Sequence, residues 1–181
     1  MIRITSGQYR GRRVEMPKGI RPTQNRVRKA IFDILGDITG ESFLELFAGS
    51  GAVGIEAASR GAKEVILVEN SRESILVINK NLDYLKISNC KLFSKDSLEA
   101  IKFLYKDKRF FDIIFLDPPY YAELAKKTLQ TLEACDILAP NGFLIVQHFK
   151  RDILPETSPI FSLIKETKYG DTILSFYRKT S

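Results

Sequence analysis

This 181-residue chain is poor in the side chains that carry most acid–base, nucleophilic and metal chemistry, with one histidine, two cysteines and no tryptophan. Cys90 and Cys135 form no Cys-x-x-Cys pair and no cluster with His148, so a zinc site is not expected. Both cysteines read as small core residues. His148 ends the apolar run "GFLIVQ" and reads as a strand-end residue rather than a base. Long apolar runs are also missing. The longest stretch without Asp, Glu, Lys or Arg, Ile137 to Phe149, has 13 residues. A membrane-spanning helix needs about 20. The start, "MIRITSGQYRGRR", lacks the apolar segment of a signal peptide. With 44% apolar and 28% charged residues, the expectation is a cytoplasmic globular protein with no membrane span and no metal.

Acidic residues are scarce at one end only. Residues 1 to 30 hold nine basic side chains and a single acid, Glu15, a net +8, while the rest of the chain carries −2. The whole excess of +6 therefore sits in the first sixth of the chain. A basic, glycine-containing arm on a neutral body points to a polyanionic partner, most often nucleic acid. The bland alternative is a solvated terminus, and the clustering favours a partner. The arm, residues 1–22, is expected to contain a small β-hairpin around Gly7 and Gly11.

After the arm, "RPTQNRVRKAIFDILG" has a helical apolar stripe at Val27, Ala30, Ile31, Ile34 and Leu35, with Thr23 or Asn25 as a cap and Arg28 away from most of the stripe. From residue 42 strands and helices alternate. "SFLELF", "EVILVE", "CKLFSK", "FDIIFL" and "GFLIVQH" read as strands, with helices between them. Asn70 with Glu73 resembles a capping box. The end, "FSLIKETKYGDTILSFYRK", reads as a hairpin turning at Tyr169-Gly170-Asp171. Alternation of this kind means an α/β, Rossmann-like fold. Its sheet is seven-stranded and mostly parallel, helices cover both faces, and the C-terminal hairpin supplies an antiparallel strand. Residues 23–181 form this body.

Ligands of such sheets sit at the carboxyl ends of the strands, beside the topological switch point. There the chain places "LELFAGSGAVG". Gly49, Gly51 and Gly54 match G-x-G-x-x-G, and Glu69 follows 20 residues after Gly49. The pattern by itself is weak and also fits a plain tight turn. Its setting, strand before and helix after, favours a nucleotide-like cofactor. A dinucleotide would bring an anionic pyrophosphate to the helix N-terminus. Glu45, just ahead of the glycines, would repel it if the side chain points into the site. S-adenosylmethionine carries a sulfonium and an ammonium and suits an acidic site better. Its ribose hydroxyls could donate to Glu69, and its adenine amine to Asp96, followed by Ser97. Asp96-Ser97-Leu98-Glu99 reads equally as a helix cap.

The fourth strand ends in Asp117-Pro118-Pro119-Tyr120. Prolines cannot continue a ladder, so a carboxylate, a rigid turn and a ring meet at the predicted switch point. An exocyclic amine on a nucleobase is a weak nucleophile because its lone pair is delocalised into the ring. It needs acceptors for its two N–H bonds and a surface on which to stack. The Asp117 carboxylate and Pro118 carbonyl are the candidate acceptors, and Tyr120 the candidate stacking surface. That is catalysis by positioning and electrostatics, without a metal.

Asp117 to Tyr120 is the signature of amino-methyltransferases. "SGQYRGRRV", "RPTQNRVRKAIFDIL", "LELFAGSGAVGIEAASRGA" and "KYGDTILSFY" resemble the family that methylates N2 of guanine 966 in bacterial 16S ribosomal RNA, and these blocks span nearly the whole chain. The resemblance implies a class I methyltransferase fold, S-adenosylmethionine as donor, and 16S rRNA or the 30S ribosomal subunit as partner. The sequence does not give the oligomeric state, and a monomer is the working expectation. It implies cofactor contacts from Glu45, from the loop Phe47, Ala48, Gly49, Ser50 and Gly51, and from Glu69, Asp96, Ser97 and Asp117. The catalytic set is Asp117, Pro118 and Tyr120. Arg10, Arg12, Arg13, Arg21, Arg26 and Arg28 are the candidate RNA contacts, although the helix bearing Arg26 and Arg28 could instead line the cofactor site. Three rivals have other requirements. A DNA methyltransferase usually needs a large recognition insertion, and glutamine methyltransferases favour Asn where Asp117 stands. An NAD-linked oxidoreductase has only the glycine count in its favour, and a pure RNA binder would have no use for the Asp117 loop.

The arm yields a first test. Replacing Arg10, Arg12 and Arg13 together with Ala should weaken RNA binding and lower the log–log salt slope by about 0.7 per lost single-strand phosphate contact. Cofactor affinity should not change. Binding isotherms at several salt concentrations measure this, and an unaltered slope makes the arm a bystander.

Overall fold

The computed structural model describes residues 1–19, 25–119 and 122–180. Two short strands, β1 (Ile2–Arg3) and β2 (Arg13–Val14), pair antiparallel as the expected N-terminal hairpin, and α1 (Asn25–Leu35) follows. Then come β3 (Ser42–Leu46), α2 (Ala52–Ser59), β4 (Glu64–Glu69), α3 (Arg72–Leu85), β5 (Cys90–Ser94), α4 (Ser97–Lys106), β6 (Phe111–Leu116), α5 (Ala122–Ala134) and β7 (Leu138–Phe149). The chain closes with β8 (Phe161–Tyr169) and β9 (Thr172–Lys179). Among the described residues no helix is long and apolar enough to cross a membrane.

One seven-stranded sheet runs in the order β5-β4-β3-β6-β7-β9-β8. The five strands from β5 to β7 pair parallel, and β9 pairs antiparallel with both β7 and β8. Composition explains why β9 is the strand that enters the sheet. Leu174, Phe176 and Tyr177 of β9 are fully buried, whereas β8 carries exposed Ile164, Lys165, Glu166 and Lys168. The apolar member of the hairpin takes the inner place and the charged member forms the edge, where a ladder has to be protected from further pairing.

Alternate residues of each strand feed two cores. On one face Phe43, Leu67, Ile113 and Phe115 pack with Phe32 of α1, Val53 of α2 and Ile78 of α3. On the other, Leu44, Leu46, Ile66 and Leu116 pack with Ile101 and Leu104 of α4 and Leu129 and Leu132 of α5. Burial on both faces is why these strands read as nearly unbroken apolar runs.

One expected helix face is rotated and one expected cap is shifted. α1 buries Val27, Arg28, Ile31 and Phe32, while Ala30, Ile34 and Leu35 are only half-buried. Phe32 lies over Phe43 at 6.3 Å between ring centroids. Arg28 is drawn in by Glu56 of α2, with its Nε 3.5 Å from the carboxylate, and its Nη2 donates to the Arg3 carbonyl at 2.6 Å. α3 is capped by Ser71, not Asn70, and Glu73 instead accepts the Lys18 N–H at 2.8 Å. α3 also buries Asn81, whose amide exchanges two hydrogen bonds with the Glu15 backbone, at 2.8 and 3.1 Å. The segment after β2 is thereby tied along α3.

Glu56 holds the N-terminal extension to the body. It is 0% exposed and accepts the Thr5 N–H (2.9 Å), the Thr5 hydroxyl (2.6 Å), the Ser6 N–H (3.0 Å) and Arg60 Nε (3.0 Å). Beside it the Gly7 backbone has φ +78° and approaches so closely that a Cβ would stand 1.7 Å from the Ser59 carbonyl oxygen. Ile2, Ile4 and Val14 then join the first core. Removing one member of a buried ion network leaves an uncompensated charge. Glu56→Ala should therefore lower stability by about 3–5 kcal/mol in urea unfolding. A midpoint equal to that of the parent chain would mean that Arg28 and the extension do not depend on Glu56.

Candidate active site

The strand order reverses between β3 and β6, so the switch point lies between their carboxyl ends. The loops after β3, β4, β5 and β6 carry Phe47 to Gly51, Glu69, Asp96 and Asp117, as the sequence led us to expect.

The loop after β3 is strained and heavily restrained. Phe47, Gly49 and Gly51 have φ of +59°, +55° and +70°. For the non-glycine Phe47 this costs roughly 1–3 kcal/mol, and such strain persists only where the surroundings enforce it. Here Phe47 N–H donates to the Ser97 hydroxyl (3.3 Å), Ala48 N–H to the Val68 carbonyl (2.9 Å) and Gly49 N–H to Glu69 Oε2 (2.7 Å). Ala48 and Ser50 are buried. Gly54 has no room for a side chain, since a Cβ would lie 2.3 Å from a Leu67 methyl and 2.8 Å from Glu45 Oε2.

Glu45 departs from the expectation that it points into the site. It is 3% exposed and turned under the loop, where Oε2 accepts the Gly54 N–H at 2.7 Å. The reason is the N-terminus of α2, whose unpaired N–H groups and dipole attract an acceptor. Burial pushes the carboxyl up to about 8, and the nearby Asp117 and Glu69 act in the same direction. Glu45 occupies a donor that a pyrophosphate would need, and Glu69 takes the Gly49 N–H. That argues against a dinucleotide.

Glu69 is fixed at the end of β4, its other oxygen accepting the Asn70 (2.9 Å) and Ser71 (2.8 Å) N–H groups. Asp96 does cap α4, with Oδ1 accepting from Leu98 (2.9 Å) and Glu99 (3.3 Å). Ser97 faces the Phe47 backbone through its hydroxyl, a tie that the motif does not announce. Asp117 is half-buried, Pro118 buried and Pro119 exposed. Gln147 of β7, absent from the sequence-based set, donates from Nε2 to Asp117 Oδ2 at 2.9 Å. Its signal was a polar residue inside a buried apolar strand. Tyr120 and Arg21 lie outside the described residues, as does Thr23.

Arg10, Arg12 and Arg13 are exposed, with the Arg12 guanidinium 5.5 Å from the centre of the Tyr84 ring. Arg26 is exposed beside the Gly170 turn. Arg28 is not available to RNA: at 1% exposure it serves Glu56 and Arg3. His148 is buried between the Phe149 carbonyl (3.1 Å) and the Ser175 hydroxyl (2.8 Å), and burial lowers its pKa. That is a structural setting.

The family described as conserved hypothetical protein 95 matches residues 2–178. Ribosomal RNA small subunit methyltransferase D of Escherichia coli is 34% identical over 181 residues, 98% of this chain and 90% of that one. This chain belongs to that methyltransferase family. The protein of the same name from Haemophilus influenzae is 34% identical over 184 residues, 98% of this chain and 93% of that one. A solved hypothetical protein from Thermus thermophilus matches with a TM-score of 0.85 at 30% identity, over 97% of this chain and 98% of that one. The Thermus thermophilus 16S rRNA N2 methyltransferase for guanine 1207, solved with AdoMet and guanosine, shares the fold at 23% identity. Its TM-score is 0.72, over 90% of this chain and 44% of that one.

For this methyltransferase the buried Glu45 has a measurable consequence. Its folded-state value of about 8 exceeds the ordinary 4.5 of an unfolded chain. Between these values the folded state binds the extra proton, so stability is greatest below the lower value and falls as pH rises, by up to about 1.4 kcal/mol per pH unit. Glu45→Gln keeps a carbonyl for Gly54 and removes that slope. In urea unfolding the variant should gain on the parent chain between about pH 5 and 8. Parallel curves would mean that Glu45 is already ionised in the folded protein.

Proposed function

We propose that this chain transfers a methyl group to the exocyclic N2 of a guanine in 16S ribosomal RNA, acting on the RNA or on the 30S subunit in the cytoplasm. The observation that carries the acceptor assignment is Asp117, held by Gln147 at the end of β6, beside the switch point and next to the buried Pro118. Membership of a small-subunit RNA methyltransferase family supports the reaction and the polymer, and the family resemblance supports guanine 966.

S-adenosylmethionine, when bound, supplies an electrophilic methyl on a sulfonium. The residues fit such a group: acids at the ends of β4 and β5 stand where a ribose diol and an adenine amine would be read, and the loop donors a pyrophosphate needs are taken by Glu45 and Glu69. Glu69 and Asp96 are the holding residues, with the Phe47–Gly51 backbone beneath. Asp117 accepts one N–H of the guanine amine and draws off its proton. The Pro118 carbonyl is the second acceptor, and Tyr120 the stacking ring. Two acceptors turn the nitrogen lone pair toward its target and keep the amine from rotating. Arg10, Arg12, Arg13 and Arg26 hold phosphates. A monomer is sufficient for every contact named.

Labelled donor methyl, with small-subunit RNA, DNA and protein separated afterwards, tests the substrate. Label in DNA or protein alone would overturn the reading. Asp117 is tested in single turnover. Asp117→Ala should reduce methyl transfer by about 10²–10³, the usual effect of losing one preorganised partner. Asp117→Asn keeps a carbonyl acceptor and should stay well above Ala. Both variants should bind S-adenosylmethionine nearly normally. An Ala variant as fast as the parent chain would reduce Asp117 to a strand terminator.

A further inference from the structure

Gln147 is the polar side chain that the fold explains least. It lies in β7, 5% exposed, between Val146 and His148, and pairs across the sheet with Leu174, which is fully buried. Its Oε1 is buried and has no hydrogen-bond partner among the described residues. Half of this amide is therefore a liability, because an unpaired buried oxygen is unfavourable. Leucine at the same place would leave no orphan. The other half contacts Asp117: Nε2 donates to Oδ2 at 2.9 Å. The assignment of nitrogen and oxygen follows from chemistry, since the reverse orientation would set an amide oxygen against a carboxylate oxygen, with no proton between two acceptors. The placement follows from the parallel register, in which Leu116 of β6 stands opposite Val146 of β7. The next residue of each strand, Asp117 and Gln147, then points to the same face. Glu45 is on that face too, two residues back across β3, and its carboxyl is close enough to feel the Asp117 charge.

We propose that Gln147 is a positioning residue for methyl transfer. Its amide N–H sets the orientation of the Asp117 carboxylate at the acceptor amine, and its unsatisfied oxygen is the structural cost. A neutral donor suits this place. An ionised acid would repel Asp117, and an apolar side chain would remove one of the restraints on the carboxylate, on a site where small misplacements slow reaction strongly. The inference rests on the acceptor role proposed for Asp117.

Two variants test it. Gln147→Leu removes the donor together with the orphaned oxygen. Its melting temperature should be equal to or above that of the parent chain, and the dissociation constant for S-adenosylmethionine and the KM for small-subunit RNA should be unchanged. Its single-turnover rate should fall about 10–100-fold, the scale expected when a reacting group is displaced by an ångström or less. Gln147→Glu replaces the amide donor with a titratable one. While protonated, the introduced acid donates an O–H to Asp117, and two carboxyls in contact hold that proton to higher pH. The rate relative to the parent chain should therefore be highest at about pH 5–6 and decline toward pH 8. The Leu variant should show no such decline. A parent chain that methylates no small-subunit RNA overturns the functional reading, and this inference with it. If the parent chain is active, three results overturn the inference alone: a Leu variant as fast as the parent, a Leu variant with a lower melting temperature, or a Glu variant whose relative rate ignores pH.

Discussion

The site depends on one contact below it, the hydrogen bond from the Gly54 N–H to the buried Glu45 carboxyl at 2.7 Å. It brings the first turn of α2 down onto β3 and β4, an approach that Gly54 permits only because it has no side chain. Between β3 and α2 the chain forms a turn with three left-handed backbone positions, one of them at Phe47. Glu69 and Ser97 then close over that turn from β4 and α4. Loop, acids and helix cap form one hydrogen-bonded assembly at the strand ends, and its rigidity is what a cofactor site requires.

A second buried acid does for the basic extension what Glu45 does for the loop. Glu56 receives the backbone of Thr5 and Ser6 from one side and Arg28 and Arg60 from the other. Backbone contacts to Asn81 and Glu73 carry the chain along α3 toward its N-terminal end, beside Glu69. The exposed arginines of the arm are therefore held in a defined place relative to the strand ends. For the phosphate contacts proposed above, such placement would need less ordering on binding than a free tail.

Three unfavourable features lie together at the carboxyl ends of the strands. Phe47 adopts a strained backbone, Glu45 is a buried acid with a displaced proton affinity, and Gln147 keeps a buried oxygen without a partner among the described residues. The cores beneath, built from Phe43, Leu44, Ile66, Leu67, Ile114 and Phe115, supply the stability against which such features persist, and they also carry the buried Tyr177 hydroxyl, which has no partner among the described residues.

The amino-acid order alone determined the alternation of strands and helices, the glycine turn, the acids at strand ends and the proline stop after Asp117. Each of these is a local signal: an apolar period, a residue that permits a backbone angle, or one that forbids a hydrogen bond. What each side chain faces was decided by tertiary packing. Arg28 has the same charge as Arg26, but only α1's rotation toward Glu56 makes it a structural residue. Glu45 was legible as an acid near the loop, but its direction came from α2's N-terminus arriving above it. Asn70 and Ser71 are equivalent as caps in sequence, and the choice was made by where Glu69 turned the backbone. Gln147 stands 30 residues from Asp117 along the chain and meets it because β6 and β7 pair in parallel register. Sequence carries periodicity and chemistry along one dimension, and it is the sheet that converts distant residues into neighbours.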